Sequence, residues 1–282
     1  MNSKCIFLDI DHTIIDNSKD IIPESTVLAI KQAKKNGHKL FICSGRPHPC
    51  VDDRVLSLPV DGFISSAGAD IRYNGKIIVK HTVPDNLAIN LITNLLNNNI
   101  SLKVDCINSS HAFLTGQDFV KKENKYHLKN LSEFEQLEYF KKHKIYLNSS
   151  VNELIENNIS DYAKFTVFAN TESEIKNQLV KLDKEFKYYV SRFPEGDCFG
   201  EITYLDTNKS SGIREIINYL KIPLEITISI GDSVNDIDMI EYTKIGVAMG
   251  NACDKLKNAA DYITDDIDKD GLYKAFKHLN II

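Results

Sequence analysis

The stretch Cys5-Ile6-Phe7-Leu8-Asp9-Ile10-Asp11-His12-Thr13 decides how the rest of the chain is read. A short apolar run of strand-forming residues stops abruptly at two carboxylates spaced i, i+2, followed by a histidine and a hydroxyl. Alternate residues of a strand share a face, and at a strand's end the chain turns, so both carboxylates can converge. In open α/β sheets ligands sit at the carboxyl ends of the strands. Asp-x-Asp also occurs in ordinary turns, where Asp bonds its own backbone. The flanking sequence has to separate the two readings.

Downstream, Pro23-Glu24-Ser25-Thr26 leads into Val27, Ile30 and Ala33 at helical spacing, closed by Asn36-Gly37. Capping residues at the start and Gly at the end mark a helix. The run His38-Lys39-Leu40-Phe41-Ile42-Cys43 then ends in Ser44-Gly45-Arg46-Pro47, and Gly62-Phe63-Ile64-Ser65 ends in Ser66-Ala67-Gly68-Ala69. Strand, helix, strand, turn, strand is the opening of a doubly wound parallel sheet. The same logic returns near the C-terminus. Lys209 opens a helix through Ile213, Ile216, Ile217 and Leu220, and Glu225-Ile226-Thr227-Ile228-Ser229-Ile230 is a strand ending in Gly231-Asp232-Ser233. Val234-Asn235-Asp236 starts another helix, followed by strand Ile245-Gly246-Val247-Ala248-Met249, a helix over 251–260, Tyr262-Ile263-Thr264 and a last helix over 271–279.

Between these halves the pattern changes. Asn74-Gly75 is a hairpin signal between two short strands. Helices are expected over 85–97, 131–140 and 171–186, and strands over 101–106 and 164–169. The expected organisation is a core from 1–82 and 189–282 with an inserted α+β domain over 83–188. The fold class is therefore α/β: a doubly wound, Rossmann-like, mostly parallel sheet carrying an insertion.

The totals exclude several classes. With 282 residues, 43% hydrophobic and 26% charged, the chain is long enough to bury a sizeable core. A net charge of -5 argues against a dedicated nucleic-acid or anionic-membrane binder. No apolar run approaches the roughly 20 residues of a membrane helix, and the N-terminus lacks the apolar core of a signal peptide. Six scattered cysteines without a C-x-x-C pair fit reduced, buried thiols in a cytoplasmic protein.

Polar groups of three kinds end three strands: Asp9 with Asp11, Ser44 with Gly45, and Asp232 with Asn235 and Asp236. Lys209 sits in the first turn of a helix, where a cation opposes the helix dipole unless an anion faces it. Four aspartates meeting at one mouth would raise one another's pKa above about 3.9 without a cation. Hard oxygen ligands with open positions suit Mg²⁺. A carboxylate nucleophile, Mg²⁺, a lysine, a hydroxyl and main-chain N–H donors are the parts phosphoryl transfer needs.

Asp9-Ile10-Asp11-His12-Thr13, Ser44-Gly45-Arg46, Lys209 and Gly231-Asp232-Ser233-Val234-Asn235-Asp236 together resemble the four ordered motifs of the haloacid dehalogenase (HAD) superfamily. The Ser-Gly-Arg-Pro and Gly-Asp-x-x-Asn-Asp wording, with the insertion between the second and third motifs, is similar to its Cof-type (IIB) sugar-phosphate phosphatases. The ending from Thr264 to Leu272 resembles that group too. The resemblance implies that Asp9 attacks phosphorus and that Asp11 is the general acid and base. It implies further that Asp9, the Asp11 carbonyl and Asp232 hold Mg²⁺, and that Ser44, Gly45, Asn235 and Lys209 bind phosphate. Asp236 would orient Lys209 or a water on the metal, so it joins the metal group, and Arg46 would touch substrate, cap or a structural partner. The insertion would be a cap that closes over the site, and the partner a small phosphorylated metabolite.

Two positions depart from that group: His12 stands where Gly is usual, and Ala67 where Asn is frequent. His12 is expected to tolerate the same turn with its side chain away from the metal. Cys43 reads as a buried strand residue, since no basic neighbour is evident to lower its pKa. The competing readings are a phosphomutase of similar cap type and a phosphate-responsive regulatory protein, because receiver domains also gather aspartates and a lysine at a sheet end.

Overall fold

The computed structural model describes residues 3–113, 132–180, 184–192, 198–205 and 207–282. The chain divides into two compact units, one made of Met1–Arg46, Val51–Lys80 and Asn208–Ile282, the other of Pro47–Cys50 and His81–Thr207.

The first unit is built on an eight-stranded sheet with strands β1 (Cys5–Leu8), β2 (Lys39–Cys43), β3 (Gly62–Ser65), β4 (Asp70–Tyr73), β5 (Lys76–Lys80), β12 (Thr227–Gly231), β13 (Ile245–Ala248) and β14 (Tyr262–Ile263). Their order is β14-β13-β12-β1-β2-β3-β4-β5. β1 lies between β12 and β2 and pairs in parallel with both. Every residue of β1 is buried, so both faces of this central strand are covered, as a parallel sheet requires. Only the edge formed by β3, β4 and β5 is antiparallel. Its turn carries φ of 48° at Asn74 and 75° at Gly75, the pair of positive angles that a tight hairpin needs.

The helices of this unit are α1 (Glu24–Lys35), α2 (Asp53–Leu56), α7 (Lys209–Leu220), α8 (Ile237–Tyr242), α9 (Asp254–Ala259) and α10 (Gly271–His278). α1 packs against α10, and α7 against α8. Ala29, Ile30 and Ala33 of α1 and Ile213, Ile216 and Ile217 of α7 are buried in one core with Ile6, Leu8, Ile42 and Ile230. Ile30, Ala33, Ile213, Ile216 and Ile217 are among the positions whose spacing marked these helices in the sequence, whereas Val27 is only half-buried. The helix expected to begin at Val234 starts as a single 3₁₀ turn at 234–236, with α8 following from Ile237. The cause is local: Asp236 folds back to accept main-chain N–H groups instead of facing outward along a regular helix.

The second unit is a separate sheet of order β10-β11-β9-β6-β7-β8, antiparallel except for the β7–β8 pair. Its strands are β6 (Ser101–Cys106), β7 (Ser110–Phe113), β8 (Ile145–Tyr146), β9 (Tyr162–Ala169), β10 (Phe186–Arg192) and β11 (Cys198–Tyr204). Helices α3 (Asp85–Asn97), α4 (Glu133–Lys142), α5 (Val151–Glu156) and α6 (Glu172–Leu179) accompany it. Leu91, Ile92 and Leu95 of α3 and Ile175 and Leu179 of α6 share a core with Leu102, Val104, Phe165, Val167 and Ile202 of the strands.

Three sequence expectations shift here. The helix expected over 131–140 runs over Glu133–Lys142, because Ser132 and Glu135 form a reciprocal cap at its start; residue 131 lies outside the described residues. The helix expected to reach 186 ends at Leu179, and Phe186 instead opens β10 opposite Tyr204. The second unit therefore runs to Thr207 and does not stop at 188, since β10 pairs with β11 and β11 with β9. Among the described residues no helix is long and apolar enough to cross a membrane.

Candidate active site

The ladder between β1 and β12 continues one step past β1, with the Asp9 N–H donating to the Ile230 carbonyl at 3.0 Å. The chain then turns sharply. The Ile10 carbonyl accepts from the N–H groups of Thr13, Ile14 and Ile15, and His12 takes a left-handed φ of 55° with its side chain exposed. The turn thus adopts the conformation where Gly would be unstrained, and the imidazole points into solvent. Asp9 is left at the strand end with 5% exposure.

Asp232 reaches the same point from the end of β12. Thr13 Oγ1 donates to its Oδ1 at 3.3 Å, which ties the two strand ends together. Asp236 completes the group: its Oδ2 accepts from the Asp232 and Ser233 N–H groups, both at 3.0 Å. Gly231 makes room for it, because a Cβ at that position would lie 2.6 Å from Asp236 Cγ. Lys209, 1% exposed at the start of α7, joins the carboxylates. Its Nζ donates to Asp9 Oδ1 at 2.5 Å and to Asp236 Oδ1.

The electrostatics follow from this packing. Burial, then the charge of Asp236, pushes the Asp9 carboxyl well above the usual range, and Lys209 only partly opposes them. Burial and the neighbouring Asp9 and Asp236 charges do the same to Asp232. Burial by itself would pull the Lys209 ammonium down, but Asp236 and Asp9 outweigh it and hold the ammonium well above its ordinary value. One lysine thus faces three buried carboxylates, a set short of positive charge. Among the described residues, ligand atoms of Asp9, Asp232 and Asp236 lie within 4.8 Å of one another. This hard, anionic, oxygen-only donor set fits a small divalent cation. Asp236 is the least available of the three, since its two oxygens already serve Lys209 and two main-chain N–H groups.

Asp11 stands apart from that group. Arg46 grips it with a fork, Nε to Oδ2 at 3.0 Å and Nη2 to Oδ1 at 2.5 Å, and Asn17 Nδ2 donates to Oδ1 at 2.8 Å. Arg46 therefore has a carboxylate partner of its own within the unit. Ser44, buried at the end of β2, accepts the Arg46 N–H on its Oγ at 3.1 Å, leaving its hydroxyl proton to donate elsewhere. The Ser44 and Arg46 carbonyls accept from the N–H groups of Ala67 and Ser66, which both hold left-handed φ, 54° and 49°. Gly45 is the half-buried link between Ser44 and Arg46. Asn235 sits exposed at the rim, where its Oδ1 accepts from Ser233 Oγ at 2.5 Å.

The structure thus gathers Asp9, Asp232, Asp236 and Lys209 into one cluster, and pairs Asp11 with Arg46. Cys43 is buried as expected, with one addition. Its Sγ approaches the Lys209 carbonyl at 3.9 Å, and burial, despite the nearby Lys209 charge, keeps the thiol well above its ordinary pKa. Sequence reasoning passed over Asn17, Asn251 and Asp238. Asn251 donates to the His12 carbonyl at 2.9 Å and accepts the Ile267 N–H at 2.8 Å, bracing the turn. No local pattern marks these residues, because each acts on a segment distant in sequence or across a turn.

The family model for haloacid dehalogenase-like hydrolases matches residues 6–276. Bacillus subtilis YkrA is 29% identical over 288 residues, covering all of both chains. A second Bacillus subtilis relative, 5-amino-6-(5-phospho-D-ribitylamino)uracil phosphatase YcsE, is 26% identical over 278 residues, covering 98% of this chain and 95% of its own. Among solved structures, the HAD subclass IIB sugar phosphatase BT4131 superposes with a TM-score of 0.80 at 31% identity, covering 99% of this chain and 100% of its own. The chain belongs to the haloacid dehalogenase-like hydrolase family.

Proposed function

We propose that this hydrolase is a Mg²⁺-dependent phosphatase acting on small phosphate monoesters of polyhydroxylated alcohols, sugar phosphates or phosphorylated cofactors, through an aspartyl-phosphate on Asp9. The observation that carries the reading is the division of labour between two carboxylates two residues apart. Asp9 is buried against Lys209, while Asp11 is held separately by Arg46 and Asn17. Lys209 thereby aims Asp9, and Asp11 is kept out of that buried cluster, so the two carboxylates can take different parts.

Lys209 holds Asp9 Oδ1, so Oδ2 is the oxygen to attack phosphorus. As the Asp9–phosphorus bond forms, the ester P–O bond breaks, and Asp11 in its protonated form gives its proton to the departing alkoxide. Asp11 then takes a proton from water, whose oxygen attacks the same phosphorus. The Asp9–phosphorus bond breaks and inorganic phosphate leaves. Lys209, the Ser44 hydroxyl, the Gly45 N–H and Asn235 neutralise and orient the phosphoryl oxygens, while Asp236 keeps Lys209 aimed at Asp9. Asp9, Asp232 and the Asp11 carbonyl would hold Mg²⁺, which when bound offsets the negative charge gathered by nucleophile and phosphate. These parts all belong to the first unit, so we assign leaving-group selection to the second, in the role of a cap. YcsE and BT4131 are named for a phosphoribityl compound and for sugars, which supports a polyol ester as substrate.

The test is inorganic phosphate release from a panel of sugar, polyol and nucleotide monoesters, with and without Mg²⁺, by wild type and Asp9→Asn. Mg²⁺-dependent release that Asp9→Asn abolishes supports the reading. Transfer of phosphoryl between hydroxyls without net phosphate release would turn it to a phosphomutase.

A further inference from the structure

We propose that Asp238 is a positioning residue for Lys209, acting through the main chain of α7 and not through the ammonium. The inference rests on the phosphatase reading only for its kinetic readout. Asp238 is the second residue of α8, and its Oδ2 accepts the N–H of Ser210, the residue after Lys209, at 2.7 Å. The first N–H groups of a helix have no partner within it. Here two successive ones are held by side chains from outside the helix: Asp238 takes Ser210, and Asn208 Oδ1 takes the Ser211 N–H at 2.8 Å.

The two anchors differ in reach. Asn208 is the residue before Lys209 and moves with it, whereas Asp238 belongs to the element that follows the Asp232–Asp236 loop. Asp238 therefore links the helix that carries Lys209 to the loop that carries its partner Asp236. On another side α7 is pressed close to β3 and the loop after it. A Cβ on Gly212 would lie 2.5 Å from Ile64 Cγ2 and 3.1 Å from Gly68 Cα. That contact sets how near the helix lies to the sheet, and the Asp238 strut sets where along its axis the first turn stops. A lysine side chain has many rotamers, so holding its Nζ at hydrogen-bonding distance from both Asp9 and Asp236 depends on a fixed Cα. The carboxylate also suits its place, because a helix start favours a negative group and carries a lysine here.

The test uses Asp238→Ala and Asp238→Asn in the full chain, with p-nitrophenyl phosphate and Mg²⁺. Asn keeps an oxygen that can accept the Ser210 N–H; Ala does not. The expected result is a kcat about tenfold lower or more in Asp238→Ala with KM little changed, because misplacement of a catalytic group by about 1 Å can reduce rate up to 10²-fold. Asp238→Asn should stay within about threefold of wild type, and amide exchange at Ser210 should speed up in Ala but not in Asn. A cap that only stabilises the fold would lower the melting temperature and leave kcat of the folded enzyme alone, which overturns the proposal. Equal kcat losses in Ala and Asn overturn it too, since they would point to the charge. Should Asp238→Ala fail to fold, Asp238→Ser carries the same comparison with a hydroxyl too short to reach. If wild type releases no phosphate from any ester, the phosphatase reading fails, and the Ser210 exchange comparison still decides whether the strut exists.

Discussion

Replacing Lys209 with methionine removes the one buried cation described among three carboxylates while keeping a side chain of similar length. The ammonium is 1% exposed and donates to Asp9, 5% exposed, and Asp236, 0% exposed. Each of these charge-assisted bonds contributes about 1.5–3 kcal/mol. Asp236 keeps the Asp232 and Ser233 N–H groups, but Asp9 loses the only side-chain hydrogen bond described for it. The metal-free first unit should therefore lose about 3–5 kcal/mol, the range for stripping one partner from a buried ion pair. The sign of its pH dependence follows from the direction of the carboxylate shifts. Asp9 and Asp232 are raised above their unfolded values by burial and by like charge, and losing Lys209 raises them further. A raised carboxylate binds its proton more tightly in the folded state, so stability falls as pH climbs through the folded pKa. The penalty should be largest near pH 8 and shrink towards pH 5, where the raised carboxyls are protonated in the folded state of wild type and variant alike, so the missing cation matters less. Urea unfolding followed by circular dichroism at several pH values, in EDTA, reads this directly. A loss below about 1 kcal/mol at pH 8, or one that grows on acidification, would refute the placement of Lys209 as the balancing charge.

Three further outcomes follow from the same geometry. His12→Gly should stabilise the first unit by about 0.5–1 kcal/mol with kcat unchanged, since a left-handed L-residue costs about 1–2 kcal/mol and this side chain is exposed; a tenfold drop in kcat would instead give the imidazole a role. Arg46→Lys should lower kcat about tenfold or more, because a lysine cannot reproduce the two-point grip on Asp11, and unchanged kinetics would show that the grip is incidental. Mg²⁺ should raise the melting temperature more at pH 8 than at pH 5, because the cluster binds protons in place of a cation at low pH; an equal rise at both would separate metal binding from these carboxylates.

The centre of the first unit's sheet was legible because β1, β2 and β12 are short, mostly apolar runs ended by a polar break, at Leu8-Asp9, Cys43-Ser44 and Gly231-Asp232. Those same breaks single out Asp9, Asp232 and Asp236, and Lys209 stands out as a cation at a helix start. The end of the second unit was not legible. Nothing in the run 198–204 says that it pairs with β9 rather than with the parallel sheet, because that choice is set by partners far away in sequence. Arg46 could be assigned to substrate or to a structural pair, and only through-space geometry shows its fork on Asp11. Asp238 was invisible for a related reason. It sits beside a motif yet caps a different helix, a relation that neither periodicity nor spacing encodes.

The central claim is that Asp9 carries the phosphoryl group. A monoester labelled with ³²P, mixed with the Mg²⁺-loaded enzyme and quenched in acid within milliseconds, tests it most directly when the labelled peptide is sequenced. The expected result is hydroxylamine-sensitive label on Asp9 that water chases into inorganic phosphate, longer-lived label in Asp11→Asn, and none in Asp9→Asn. Phosphate release at full rate from Asp9→Asn, or label on another residue, would contradict it.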